Sequence, residues 1–179
     1  KFGFEAPHLF SNPIQYYIEL IDGFLPENTD MFPTKPWKSR LDGIEKHLGK
    51  IANQIIDLDK AAARKDIIDI NRILREINYS FLLADDLQHV LRGVLMPLLN
   101  SKNRIEGKED LLEFLDVILD LLQTKAKDLS KKDLDIYLKK VIGLTVYYLD
   151  KIKDDNFVGV CDRVIEIYRQ GGYQEDAYL

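Results

Sequence analysis

Trp37, Leu41, Ile44, Leu48, Ile51, Ile55 and Leu58 recur at spacings of four and three residues without a miss, and nowhere does the chain alternate apolar and polar residues over a useful strand length. That pattern restricts the chain to helices. At 3.6 residues per turn these side chains fall on one narrow stripe, and a narrow stripe is buried by packing against another helix at coiled-coil-like angles. A second seam, Ile70, Leu74, Ile77, Phe81, Ala84, Leu87, Leu91, Val94 and Leu98, predicts a second long helix with one irregular step at Ala84 to Leu87. Pro97 removes an amide and crowds the carbonyl of Gly93, so this helix is expected to kink or stop in its last turn. Between the two, Ala62 still fits the first seam while Lys65 and Asp69 do not. This places a turn at 64–66, with Asp66 capping the next helix.

After a polar loop at 100–107, Leu111, Leu115, Ile118 and Leu122 mark a third helix. Ser130 followed by Asp133 resembles a capping box with Asp in place of Glu, and opens a fourth that buries Leu134, Tyr137, Val141, Leu144, Tyr148 and Ile152. A last short helix carries Phe157, Val160, Val164, Ile165 and Tyr168 and stops at Gly171-Gly172. Ahead of the seams, residues 1–9 read as an extended arm. Asn12-Pro13 starts a short helix with Ile14, Tyr17, Ile18, Ile21 and Leu25 on one face, and prolines at 26, 33 and 36 make a linker. The expected fold is all-α: an up-down-up-down four-helix bundle over residues 37–153, with short extra helices at its N- and C-terminal ends in 1–36 and 154–179. Short connections force neighbouring helices antiparallel.

Composition narrows the function classes. The 179 residues carry 25 Lys and Arg against 30 Asp and Glu, a net charge of −5. With no basic run to neutralise phosphates, a nucleic-acid partner is not expected. No apolar stretch reaches the roughly 20 residues that cross a bilayer, so the expected protein is soluble or peripheral to a membrane. A single cysteine, Cys161, allows no internal disulfide, and a chain of this length needs none to bury a core.

Few residues point to chemistry. The histidines are His8, His47 and His89, with His47 and His89 on outer helix positions, and no catalytic triad suggests itself. Asp86-x-x-His89 has no second copy, so a di-iron bundle is unsupported. Cys161 reads as a small buried hydrophobe. There is no Gly-rich phosphate loop, Cys-x-x-Cys pair or His-Glu-x-x-His. The most suggestive constellation is Glu109, Glu113, Asp116 and Asp120, a carboxylate stripe on the third helix. Its Glu113-x-x-Asp116 resembles one of the two metal motifs of the MazG-like nucleotide pyrophosphohydrolases, while the Glu-x-x-Glu partner is missing. The stripe is offset by about 200° from the apolar positions and is expected to face water. No catalytic, cofactor or metal residue is therefore assigned. The residues expected to meet a partner are the arm aromatics Phe2, Phe4 and Phe10, which have no core of their own to bury in, and the basic group Lys125, Lys127, Lys131, Lys132, Lys139 and Lys140, which can steer an acidic surface.

Across helices three and four, Phe114-Leu115-Asp116-Val117-Ile118 through Leu122, Lys125, Tyr137, Val141 and Leu144 resembles the PsbQ family, the extrinsic proteins on the lumenal side of photosystem II. The likeness is to that family's Leu-Phe-Asp-x-Ile-x-x-Leu-Asp run and the Lys-rich and Tyr-x-x-x-Val-x-x-Leu segments after it. Leu74-Arg75 and Asp86-Leu87 resemble a Leu-Arg to Asp-Leu spacing in helix two. The resemblance covers about residues 37–152 and departs from the plant pattern at Leu121-Leu122-Gln123-Thr124-Lys125 and in the extra helices, which suit the larger algal PsbQ-like forms. It implies a non-catalytic extrinsic subunit of the chloroplast thylakoid lumen, monomeric when free and without a cofactor. Such a subunit would dock on the photosystem II core and other extrinsic subunits, stabilise the oxygen-evolving complex and help retain calcium and chloride. A generic helical protein-interaction module is the same reading without the family.

Overall fold

The computed structural model describes residues 34–101 and 105–171, with side chains from Arg40 onward. The arm with Phe2, Phe4 and Phe10, the short helix after Asn12-Pro13, the start of the proline-rich linker and the 173–179 tail lie outside the described residues. Those residues are all-helical, joined by turns, and no strand occurs among them.

The chain divides into two compact units, Lys1–Lys50 and Ile51–Leu179, and helix α1 (Thr34–Ala63) passes from the first into the second. It begins inside the expected linker. Pro36 falls in its first turn, where an amide has no intrahelical partner to lose. In the first unit Leu41, Ile44 and Leu48 are half-buried; in the second Ile51, Ile55, Leu58 and Ala61 are buried. The turn after α1 is made without glycine. Lys65 takes the left-handed conformation at φ 58°, and Asp66 caps α2 (Ile67–Glu76) by accepting the Asp69 amide at 3.1 Å.

The expected single second helix is broken. α2 ends at Glu76 and a 3₁₀ turn follows at Tyr79–Phe81. Asn78 accepts the Ser80 amide and so offers the backbone a turn in place of helix continuation. Helix resumes as α3 (Ala84–Gln88), widens into a π segment (His89–Leu95) and continues as α4 (Met96–Asn100). Across the break the apolar row changes register: Leu82 is buried and Ala84, expected in the seam, is exposed. Pro97 does not stop the chain. The π segment directly ahead of it, where the Met96 amide reaches the Leu91 carbonyl, gives the ring a wider turn to follow.

Helix α5 (Lys108–Lys125) is the centre of the second unit, burying Leu111, Phe114, Leu115, Val117, Ile118, Leu119, Leu121 and Leu122. α2, the 3₁₀ turn, α6 (Lys131–Tyr147) and α7 (Asp154–Gln170) all pack on it, and α4 packs on α6. A helix apolar around most of its circumference must be surrounded in this way. α2 lies parallel to α5, because Asn71 Nδ2 donates to the Asp110 carbonyl at 3.0 Å and Arg75, one turn on, reaches Glu113, Asp116 and Asp120. α7, expected as a short addition at the bundle's end, spans 17 residues and packs on both α5 and α6, burying Val160, Val164 and Ile167. Ile167 in its last turn is absent from the expected apolar face; Phe157, Ile165 and Tyr168 from that face are half-buried.

Candidate functional site

Two groups of side chains singled out by the sequence meet opposite fates. The carboxylate stripe of α5 is occupied from both sides. From α2, Arg75 reaches Glu113 at 2.8 Å, Asp116 at 2.8 Å and Asp120 at 3.3 Å. From α7, Arg163 grips the second oxygens of Asp116 and Asp120, each at 2.5 Å. Charge-assisted pairs of this kind are the stronger hydrogen bonds. Held by Asp116 and Glu113, the Arg75 guanidinium keeps its proton even more firmly than usual. The stripe is half-exposed, so each pair is screened by solvent. Its geometric effect is to tie α2 and α7 to α5. Glu109 lies apart, exposed in the first turn of α5. Among the described residues no three His, Cys, Asp or Glu side chains are grouped to hold a metal ion.

Arg75 and Arg163 were not singled out by sequence reasoning, yet a signal exists. Each stands one position from a buried residue, Leu74 and Val164, at the edge of an apolar face. From there a long cationic side chain can bury its stem and reach a neighbouring helix. His89, on the outer side of its helix as expected, places Nε2 at 2.8 and 2.9 Å from the two carboxylate oxygens of Asp59 in α1. Asp86, one turn before it, has its carboxyl pushed up by burial and by the neighbouring Asp85. Cys161 is half-buried, its thiol raised by burial and by Asp162, so it is a weak thiolate source.

The basic group divides. Lys125 is buried, its side chain 10% exposed and 3.5 Å from Asp128, and Lys127 is exposed in the 3₁₀ turn Ala126–Asp128. Neither joins the others. Lys131, Lys132, Lys139 and Lys140 stand on α6, where two hollows flank the helix. A groove of about 1040 Å³ between α6 and α7 is lined by Lys131, Lys132, Asp135 and Lys139 over Leu138, Ile142, Val164 and Ile165, with Cys161 and Tyr168 completing it. A smaller hollow of about 450 Å³ on the other flank is lined by Leu99, Asn100, Lys139, Lys140, Gly143, Leu144 and Tyr147.

Local sequence explains the groove. Tyr137, Val141 and Leu144 are the buried seam of α6, and Leu138 with Ile142 form a second apolar row beside it. On α7, Cys161, Ile165 and Tyr168 form a similar row beside Val160, Val164 and Ile167. Leu138 is covered by the contact, while Ile142, Cys161, Ile165 and Tyr168 stay half-buried and form the groove wall. The helices run antiparallel, since Tyr168 near the end of α7 donates to Asp135 near the start of α6 at 2.7 Å. Lys139 also holds Asp135, at 2.7 Å. Together the Lys139 ammonium and the Tyr168 hydroxyl keep the Asp135 carboxyl below the usual carboxylate range.

Comparison with protein-family models, curated proteins and solved structures gives no match to this chain.

Proposed function

We propose that the chain is a non-catalytic interaction protein that docks on an acidic partner through the outer face of α6. One observation carries this reading. Lys132, Lys139 and Lys140 are exposed along one face of the helix, together with Ile136, Val146 and Tyr147, which α6 also leaves in solvent. Cations spaced among exposed aliphatic and aromatic side chains supply both parts of an interface, an apolar centre and a charged surround that orients the approach. The framework presenting this face is all-helical, with α6 antiparallel to α7 and α2 parallel to α5.

Docking on the lumenal side of photosystem II, with retention of calcium and chloride at the oxygen-evolving complex, is the specific form we propose, and it rests on the PsbQ resemblance. Phe114, Leu115, Ile118, Leu122, Tyr137, Val141 and Leu144, which carry that resemblance, are all buried. They therefore support the framework, and the docking face has to be tested directly. No described helix is long and apolar enough to cross a membrane, which suits a peripheral subunit. The competing reading, a magnesium-dependent nucleotide pyrophosphohydrolase, predicts turnover lost in Glu113→Gln; the two arginines on that stripe favour the interaction reading.

The test is rebinding to salt-washed photosystem II, followed by oxygen evolution at low calcium and chloride. Saturable, salt-sensitive binding with restored activity is expected, weakened by Lys139→Glu with Lys140→Glu. Absence of binding to cores from several algal sources would remove the photosystem form. A charge-reversed pair that binds any captured acidic partner as well as the unaltered chain would remove the α6 face.

A further inference from the structure

The outer face of α6 carries a second seam, left in solvent. Ile136, Lys140, Gly143 and Tyr147 recur at spacings of four, three and four, with Lys139 and Val146 beside them and Lys132 one turn ahead. From Ile136 to Tyr147 the row runs along one side of the helix for about 16 Å at 1.5 Å per residue. That is the spacing by which one helix receives another. Ile136 is 37% exposed, Val146 50% and Tyr147 42%, so the apolar area of this seam is still to be covered.

Gly143 is its least expected member. In the middle of an exposed helix glycine is destabilising relative to alanine, and packing within the described residues does not require it, because a β-carbon placed there would meet nothing within 4 Å. The bare backbone instead opens onto the hollow of about 450 Å³ between α4 and α6. Leu99 and Leu144 are already buried and supply only its floor. The lining that an incoming group would cover is Tyr147, with exposed Lys139 and Lys140 beside it.

An aromatic wall next to cations selects an aromatic side chain, which packs edge-on or offset against Tyr147 and offers its ring face to an ammonium. The charges select what surrounds that side chain. Lys139 is held by Asp135, so Lys132 and Lys140 are the cations that face an arriving helix, and each attracts a carboxylate. A second copy of the chain fits poorly, since pairing α6 with itself would bring the lysines of the two copies together.

We propose that the partner lays an acidic amphipathic helix along α6, with one aromatic side chain seated over Gly143 against Tyr147 and with carboxylates about two turns apart at Lys140 and Lys132. This rests on the docking reading given above and specifies the partner that the face receives.

The experiment uses the full chain and a fluorescent helical peptide of alanine and leucine with one central Trp and Glu placed one turn and three turns to either side, so that either direction of docking is served. Two further peptides carry Ala in place of the Trp, or Lys in place of every Glu. Saturable 1:1 binding by anisotropy is expected for the first. It should weaken about tenfold or more with Ala at the centre, as for a buried interface anchor, and be lost with Lys for Glu. Gly143→Leu fills the hollow with a better helix former and leaves the fold intact by circular dichroism; it should bring the Trp peptide down to the level of the Ala peptide. Lys132→Glu with Lys140→Glu should weaken both peptides and remove the salt dependence of binding. If the lysine reversal weakens binding while the Trp and Ala peptides bind alike, the docking reading stands and the aromatic anchor is overturned. If the reversal leaves binding unchanged, the docking reading falls and the proposal with it. A chain that binds none of the peptides, or that gathers on vesicles of anionic phospholipid and ignores the Trp peptide, also overturns it.

Discussion

Helices α5 and α6 are near-equal in length, 18 and 17 residues, and both show a charged stripe beside an apolar seam, yet they end in opposite situations. α5 is enclosed: its seam is core on most sides, and its carboxylates are held by Arg75 from α2 and Arg163 from α7. α6 is enclosed on one side only and keeps Lys132, Lys139 and Lys140 in solvent beside exposed Ile136, Val146 and Tyr147. The acidic stripe, with spacing that invites a metal, is a structural tie. The lysines, which read equally well as solubilising residues, edge an apolar groove. What separates the two is whether opposite charges stand on the neighbouring helices.

The contrast can be broken most forcefully at the core. Phe114→Ala, at a fully buried site in α5, should cost about 3–5 kcal/mol in urea unfolding, whereas Ile136→Ala on the open face of α6 should change it by less than about 0.5 kcal/mol. The ties come next. Arg163→Ala leaves Asp116 and Asp120 to Arg75 alone, and because the pairs are half-exposed it should cost about 1–2 kcal/mol. Coupling to Arg75→Ala in a double-mutant cycle would sharpen this, since both arginines share the same two carboxylates. Ser130→Ala removes the acceptor of the Asp133 amide at the start of α6 and should cost about 1 kcal/mol, read as a lower melting temperature.

The smallest expected effect is the acid response of Asp135. Its folded pKa lies below the ordinary value of 3.8 because Lys139 and Tyr168 bond the ionised form. The stabilisation is therefore complete above that ordinary value and is lost as pH falls through the lower folded value. Asp135→Asn should lower stability slightly and by a constant amount near neutrality, the difference from the unaltered chain closing as pH falls through that acid range. A profile identical to that of the unaltered chain would show that the Tyr168 and Lys139 contacts do not hold Asp135 in solution.

Much of the framework was legible because it depends on local chemistry. Ser130 and Asp66 cap helices where expected, and the seams of α5 and α6 coincide with buried residues. The break at 77–83 departs from the expected continuous helix, although the irregular step from Ala84 to Leu87 marks the change of register and Asn78-Tyr79-Ser80 supplies the turn chemistry. α7 contributes more to the core than its expected apolar face implies, because the fully buried Ile167 in its last turn lies outside that face. Arg75 and Arg163 could not be paired with the stripe from sequence, because those contacts span 38 to 47 residues and depend on which helices become neighbours. The groove left a clearer trace. Ile142, with Ile165 and Tyr168, belongs to second apolar rows that the α6–α7 contact leaves half-buried.

The most direct test of the contrast is urea unfolding of two charge variants measured side by side, Asp116→Asn with Asp120→Asn on α5 and Lys132→Glu with Lys140→Glu on α6. The account predicts that the first loses about 1–3 kcal/mol by removing the charges that Arg75 and Arg163 bind, while the second unfolds like the unaltered chain to within about 0.5 kcal/mol. An unaffected α5 variant together with a destabilised α6 variant would contradict it, making the lysine face the structural element and leaving the carboxylate stripe free for another role.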